Sequence, residues 1–424
     1  MSTFRFIHTA DLHLDTPFKG LVHIPKHLHQ QIQQSTFRAF DQIIDYCIKY
    51  QVDFLLISGD VFDVEEHSLK ALLHFYQGLK KLDEHGIQSY IIHGNHDPAD
   101  QIKSSFDWPK SVHFFPSDKV EVYSFIKEQK ELVRIYGRSF PTKSFRENIV
   151  PEYKKKESAE GIFHIGLLHT NLDGNPEHDT YAPTTTQELL YSDMDYWALG
   201  HIHKKHVVSN STPVIVYPGN PQGRHMKETG TKGCVLVEVD RQKVQTMKWI
   251  ETSQIKWDEV VIDITSIENM NCLMDHIQEK IDGMMQTSQV PMILRISLIG
   301  ESDLHFELHE DGKKDEMVEI LNQNYIVQSQ WTWIESIQLK TTPYFQIEDY
   351  LEKGSFLVDY LEQLTLAKEQ MDVTVIEKEL GHELFKNRSL KNHFTSFSNE
   401  DIDNIFEKAK HLAIHFFTRE ERNS

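Results

Sequence analysis

Apolar and polar positions alternate along the first hundred residues so as to specify strands and helices in turn. "FRFIHTA" is a short apolar run that predicts a strand. Leu28, Ile32, Phe40, Ile43, Ile44 and Cys47 then mark one face of a helix. "VDFLLISGD" predicts a second strand, Ser68 to His85 a second amphipathic helix, and "IQSYIIHGNHD" a third strand. Such alternation implies a layered α/β core. Between Val112 and Tyr136 the shorter runs "VHFF", "KVEVYSF" and "LVRIYG" predict an antiparallel segment, after which strands resume with "GIFHIGLLHTN", "DYWALGHIH", "PVIVYPGN" and "GCVLVEVD".

Around Trp257 the pattern changes. "DEVVIDIT", a helix over Ile267 to Met284, "VPMILRISLIG", a helix near Asp315 to Asn324, and "WIESIQLK" predict a small β-α-β-α-β unit. After "TTPYF" the chain reads as helical, with Ile402, Ile405, Ala409, Leu412 and Phe416 forming one apolar stripe. The expected domains are therefore residues 1–255, 256–342 and 343–424.

Composition narrows the setting. Three cysteines, Cys47, Cys234 and Cys272, are far apart and odd in number, which fits a reducing compartment and excludes a cysteine-rich zinc site. Apolar runs such as "FLLI" are too short to cross a membrane, and the N-terminus lacks the pattern of a signal peptide. A cytoplasmic location is expected. The formal charge of −20 argues against a nucleic-acid binder unless metal ions and a local basic patch supply positive charge.

Five apolar strands each run directly into polar groups that can bind a metal. The first delivers Asp11 and His13, the second Asp60, and the third Asn95, His96 and Asp97. "IGLLHTN" delivers His169, and "YWALGHIH" delivers His201 and His203. In α/β sheets, ligands gather beyond the carboxyl ends of strands, so these groups should meet in one cleft. Imidazoles, carboxylates and one amide, without thiolate, favour borderline or harder cations such as manganese, zinc or iron. Gly59, Gly94 and Gly200 each precede a ligand, where the backbone must turn sharply. His8, His93 and His164 lie within or at the end of strand patterns and are expected to be satisfied core groups instead.

The set "HTADLHLD", "SGDVFD", "HGNHD", "LLHTN" and "GHIHK" resembles the calcineurin-like metallophosphoesterases, and within them the SbcD-type DNA repair nucleases of the YhaO-like branch. The resemblance covers about Phe4 to Asp240 well and the remainder loosely. It implies a central β-sandwich flanked by helices, a small α/β capping domain and a helical C-terminal region. It also implies two divalent metal ions, manganese above all. One would be held by Asp11, His13, Asp60 and His203, and the other by Asp60, Asn95, His169 and His201. His96 would stabilise the phosphoryl group or protonate the leaving oxygen, with Asp97 holding its ring. Two positions depart from relatives: Asp63 stands where some have a substrate-contacting histidine, and Asp15 where many have glycine.

For the substrate, Lys204 and Lys205 follow "GHIH", and "PGNPQGRH" adds Arg224 and His225 on a glycine-rich loop; these are the expected contacts to DNA. The run Lys154 to Lys156 reads as exposed. The resemblance further implies that the C-terminal region docks on an SbcC-like coiled-coil ATPase, which could supply basic surface that this chain lacks, and it allows a homodimer. Two competing functions use the same residues. One is hydrolysis of a nucleotide, phosphoprotein or other small phosphodiester; phosphatases of the superfamily carry an arginine shortly after "GD", which "GDVFDVEEHS" lacks. The other is a non-catalytic scaffold, which the presence of every ligand and His96 disfavours.

Overall fold

Three strands, β1 (Phe4–Thr9), β2 (Phe54–Ser58) and β3 (Gln88–Ile92), lie side by side in parallel and carry the first three polar tips at adjacent ends. The computed structural model describes residues 3–18, 21, 24–63, 68–97, 106–155, 161–174, 181–328, 330–344, 356–370 and six isolated positions between 403 and 413. Contacts divide the chain into two units. The first comprises Met1–Glu259, Met285–Arg295 and Tyr325–Glu335, and the second Val260–Met284, Ile296–Asn324 and Ser336–Ser424.

In the first unit β1 to β3 are joined by β4 (Val112–Phe114), β11 (Gly233–Asp240) and β12 (Lys243–Glu251) in a six-stranded sheet of order β12-β11-β1-β2-β3-β4. A second six-stranded sheet has the order β5-β6-β7-β8-β10-β9. It is built from β5 (Glu121–Lys127), β6 (Lys130–Gly137), β7 (Phe163–His169), β8 (Tyr196–Gly200), β9 (His206–Ser209) and β10 (Val214–Tyr217). The antiparallel segment expected from Val112 to Tyr136 is thus divided. β5 and β6 form a hairpin, but β4 pairs in parallel with β3 in the other sheet. A strand of only three residues, Val112, His113 and Phe114, carries no mark of which edge it will join.

β2, β7 and β8 are buried along their whole length, as their unbroken apolar runs require when both faces are covered. Between the sheets Phe6 stacks on Phe54 at 5.2 Å, with Tyr196 edge-on to Phe6 at the same distance. Burying each such ring is worth roughly 1.5–3 kcal/mol. His8 sits in this layer with both nitrogens satisfied. Nε2 faces the Leu199 carbonyl at 3.1 Å, so it carries the hydrogen, and Nδ1 accepts from the Tyr196 hydroxyl at 3.0 Å. Burial pushes its pKa down to about 3. His164 is buried beside the Tyr136 hydroxyl at 3.0 Å.

Helices α1 (Lys26–Lys49) and α2 (Leu69–Glu84) cover the outer face of the first sheet. All six apolar residues that defined the α1 stripe are buried. Ser68 caps α2, its hydroxyl accepting from the Ala71 amide at 3.1 Å. Packing both helices on one face keeps the strand ends open for the polar tips.

Strands β13 (Lys256–Asp263), β14 (Met292–Ser302) and β15 (Thr332–Pro343) make a three-stranded sheet in that order. The second unit holds most of helices Met270–Thr287, which buries Leu273, Ile277 and Ile281, and Lys313–Tyr325, and all of a later helix, Phe356–Gln370. Of the C-terminal stripe only Ile405 and Ala409 fall within the described residues; Ile402, Leu412 and Phe416 lie outside them, as does Lys156. No helix among the described residues is long and apolar enough to cross a membrane.

Candidate metal centre

Polar tips from both sheets meet where β1, β2, β3, β7 and β8 end. The chain after β1 keeps pairing with the chain after β2: the amides of Asp11 and His13 donate to the carbonyls of Gly59 and Asp60 at 3.0 and 3.1 Å. To bring the side chains inward, Asp11, His13, Asp60 and His201 adopt left-handed backbone, with φ of 54°, 43°, 52° and 97°. Such conformations cost about 1–3 kcal/mol each for a residue with a side chain and persist only where the surroundings over-determine them. At Gly200 a Cβ would overlap the Ser58 carbonyl oxygen, so only glycine lets β8 approach β2 here.

Three groups of ligand atoms lie within 4.8 Å of one another: Asp11, His13 and His203; Asp11, Asp60 and His169; and His13, Asp63 and His96. Nδ1 of His169 meets the Ser58 carbonyl at 2.9 Å and therefore carries the hydrogen. Its Nε2 lone pair is left facing Asn95 Oδ1 at 3.0 Å and Asp60 Oδ2 at 3.4 Å. Three acceptors converge there and call for a cation. Burial opposes a charge on His169, but the Asp60 carboxylate overrides it and raises the pKa to about 9. Asp60 itself, although buried, is held well below the usual carboxylate range by His169.

The second convergence is between imidazoles. Nε2 of His13 and Nε2 of His203 stand 3.1 Å apart. Glu228 Oε1 lies 2.7 Å from Nδ1 of His203 and fixes the hydrogen on that nitrogen, so Nε2 presents a lone pair. His13 is completely buried, and burial, reinforced by Arg224, brings its pKa down to about 3. Asp11 accepts the His201 amide at 3.0 Å, and burial raises its pKa. A neutral imidazole pair with a carboxylate suits a divalent cation. These donors fit the expected metals on chemistry as well as position.

Asp60 Oδ2 lies between the two sets, 3.9 Å from Nε2 of His13 and 3.4 Å from Nε2 of His169. Its other oxygen accepts the His96 amide at 3.0 Å. His201 stands beside the His169 set. Its ring packs edge-on to His169 and to Tyr181, at 5.2 and 5.4 Å, and none of the three convergent groups includes it.

His96 is at the mouth, its side chain 42% exposed, with Nδ1 3.0 Å from the Asp63 carbonyl. Asp97 does not hold that ring. Its two oxygens accept the amides of Val61 and Gly94 at 2.8 and 2.9 Å, which ties two strand-end loops together, and Asp63 faces His96 in its place. Adjacent residues on a tight turn diverge, so Asp97 points into the protein while His96 points out.

Of the expected DNA contacts, Lys204 and Lys205 are exposed, with Lys205 Nζ 5.1 Å above the Trp249 ring, and His225 is half-exposed. Arg224 is not available at the surface: its side chain is 12% exposed and paired with Asp63 at 2.7 Å and Glu228 at 3.2 Å. Glu228 escaped the sequence reading because a lone glutamate in a polar loop has no periodicity to betray its burial. Lys232, also buried, donates to the His203 carbonyl at 3.1 Å. Asp15, in place of glycine, has φ of 67°, a conformation that glycine adopts without strain and aspartate tolerates.

Two parallel-centred sheets with this array of nitrogen and oxygen ligands define a metallophosphoesterase. The chain belongs to the calcineurin-like metallophosphoesterases and, within them, to the YhaO family. Residues 4–205 match the calcineurin-like phosphoesterase family, and residues 257–342 match the middle domain of metallophosphoesterase YhaO. The chain is 37% identical to the metallophosphoesterase YhaO of Bacillus subtilis (strain 168), over 78% of this chain and 81% of that one. It is 23% identical to a subunit of the nuclease SbcCD of the same organism, over 58% and 68%, and 27% identical to the DNA double-strand break repair protein Mre11 of Methanocaldococcus jannaschii, over 51% and 56%.

Proposed function

We propose that this metallophosphoesterase is a two-metal phosphodiesterase that cuts DNA at its ends in repair. The observation that carries the reading is Asp60 Oδ2 standing between Nε2 of His13 and Nε2 of His169. One carboxylate oxygen between two nitrogen sets suits two cations that share a ligand. Asp11, His13 and His203 would hold one ion, and Asp60, Asn95 and His169 the other, with His201 beside it. When bound, a divalent pair neutralises charge on the phosphoryl oxygens and supplies a water nucleophile at neutral pH. Oxygen and nitrogen donors without sulfur suit manganese, zinc or iron, and the family resemblance points to manganese among them.

His96 fits the proton-transfer role. With Nδ1 donating to the Asp63 carbonyl, Nε2 is the nitrogen left to stabilise the phosphoryl group or pass a proton to the leaving oxygen. DNA as the substrate is supported by the names of two relatives, a nuclease subunit and a DNA double-strand break repair protein. Exposed Lys204 and Lys205 would provide local positive charge on an otherwise acidic chain, and half-exposed His225 a neutral hydrogen-bonding ring. The proposal includes a cytoplasmic setting, a possible homodimer, and an SbcC-like ATPase engaged through residues 343–424.

The test is hydrolysis by the purified chain with manganese, comparing end-labelled duplex and single-stranded DNA with a small phosphodiester and a phosphopeptide. Slow degradation of DNA, lost in His96→Ala, is expected. Cleavage of the small ester alone would move the protein to the competing reading, a metallophosphoesterase of small phosphodiesters or nucleotides.

A further inference from the structure

The loop that follows β10 ends in Arg224, and the guanidinium there joins two carboxylates. Nη1 donates to Asp63 Oδ1 at 2.7 Å, and Nη2 to Glu228 Oε1 at 3.2 Å. Each carboxylate in turn faces the far nitrogen of an imidazole. Asp63 Oδ1 is 3.1 Å from Nδ1 of His13, off the line of a good hydrogen bond, and Glu228 Oε1 is 2.7 Å from Nδ1 of His203. The near nitrogens of those two rings are the pair 3.1 Å apart. Arg224 Nη2 also lies 3.2 Å from Nδ1 of His203. That nitrogen cannot accept from it while donating to Glu228, and the shorter contact to the carboxylate decides.

Glu228 cannot swing away. Its second oxygen accepts the Arg224 amide and the Asn220 side-chain amide, both at 2.8 Å. A planar fork can span two carboxylates at once, whereas an ammonium is a point charge.

We infer that Arg224, Asp63 and Glu228 form a positioning clamp that fixes the tautomer of His203 and the orientation of His13, so that both Nε2 atoms serve one of the two metal ions. The clamp rests on the two-metal reading. Arg224 is accordingly a positioning residue for the metal centre and not a contact to the DNA backbone.

The test is a manganese titration of the full chain, followed by calorimetry and by the electron paramagnetic resonance of free ion. The wild type should take up two ions. Glu228→Ala and Arg224→Lys should keep one near wild-type affinity and weaken the other by about 10–100-fold, the usual effect of losing a group that orients a ligand. Glu228→Gln keeps an acceptor for the His203 hydrogen and should recover most of the loss. Two ions bound with wild-type affinities in Arg224→Lys, or both weakened alike, would overturn the clamp. If Glu228→Ala proves unfolded by circular dichroism, Arg224→Lys decides alone. A wild type that binds fewer than two ions removes the two-metal reading and the clamp with it.

Discussion

Nε2 of His13 faces Nε2 of His203 at 3.1 Å, although 190 residues separate them in the chain. Two imidazole nitrogens approach so closely either through an N–H···N hydrogen bond or as ligands of one metal ion, and Glu228 already holds the His203 hydrogen on Nδ1, which leaves Nε2 a lone pair for a metal. Manganese should therefore raise the melting temperature, and chelation should reverse the gain. At a free concentration 100 times the dissociation constant, one site contributes about 2.7 kcal/mol. A melting curve unmoved by millimolar manganese would contradict the assignment.

Without metal, His169 sets a pH dependence. Burial opposes its charge but Asp60 prevails, and the pKa rises from 6.5 in the unfolded chain to about 9. A raised histidine stabilises the fold fully below 6.5, and that contribution is lost as pH rises through 9. In chelator, the melting temperature should fall between pH 6.5 and 9, and His169→Gln should flatten the decline. An equal decline in both proteins would show that another group is responsible.

Replacement of His96 should separate chemistry from metal binding. Its ring faces the Asp63 carbonyl, outside the groups built on Asp11 and Asp60. His96→Ala should lower phosphodiester turnover by about 10²–10⁴-fold, the usual worth of a positioned acid or base. Manganese uptake, measured by calorimetry, should remain at two ions.

Asp97→Ala should act first on stability. The carboxylate accepts the amides of Val61 and Gly94, and each hydrogen bond to a charged group is worth about 1.5–3 kcal/mol. Urea unfolding should show a loss of about 3–6 kcal/mol on that basis. An unchanged midpoint alongside lost activity would return Asp97 to the ring-orienting role.

Two backbone positions should respond in opposite ways. Gly200→Ala places a Cβ on the Ser58 carbonyl that accepts the His169 hydrogen, so it should destabilise by more than about 2 kcal/mol and weaken metal binding. Asp15→Gly, at φ of 67°, should be tolerated within about 0.5 kcal/mol. Thermal melts of the two variants, with and without manganese, check both.

The strands and their polar tips were legible in the chain because a buried parallel strand is a local feature: an unbroken apolar run, ended by a turn. Asp11, His13, Asp60, Asn95, His169 and His203 follow from that rule, since parallel strands must deliver their carboxyl ends to one edge. What Asp97, Arg224 and Glu228 do was decided by partners elsewhere in the sequence. Arg224 meets Asp63 across 161 residues, and nothing at either position records the other. The same limit hid the parallel pairing of β4 with β3 and the packing of His201 on His169. Hydrogen-bond geometry depends on where both groups lie in space, so only the folded chain could show which polar residues converge, which orient their neighbours, and which hold the loops together.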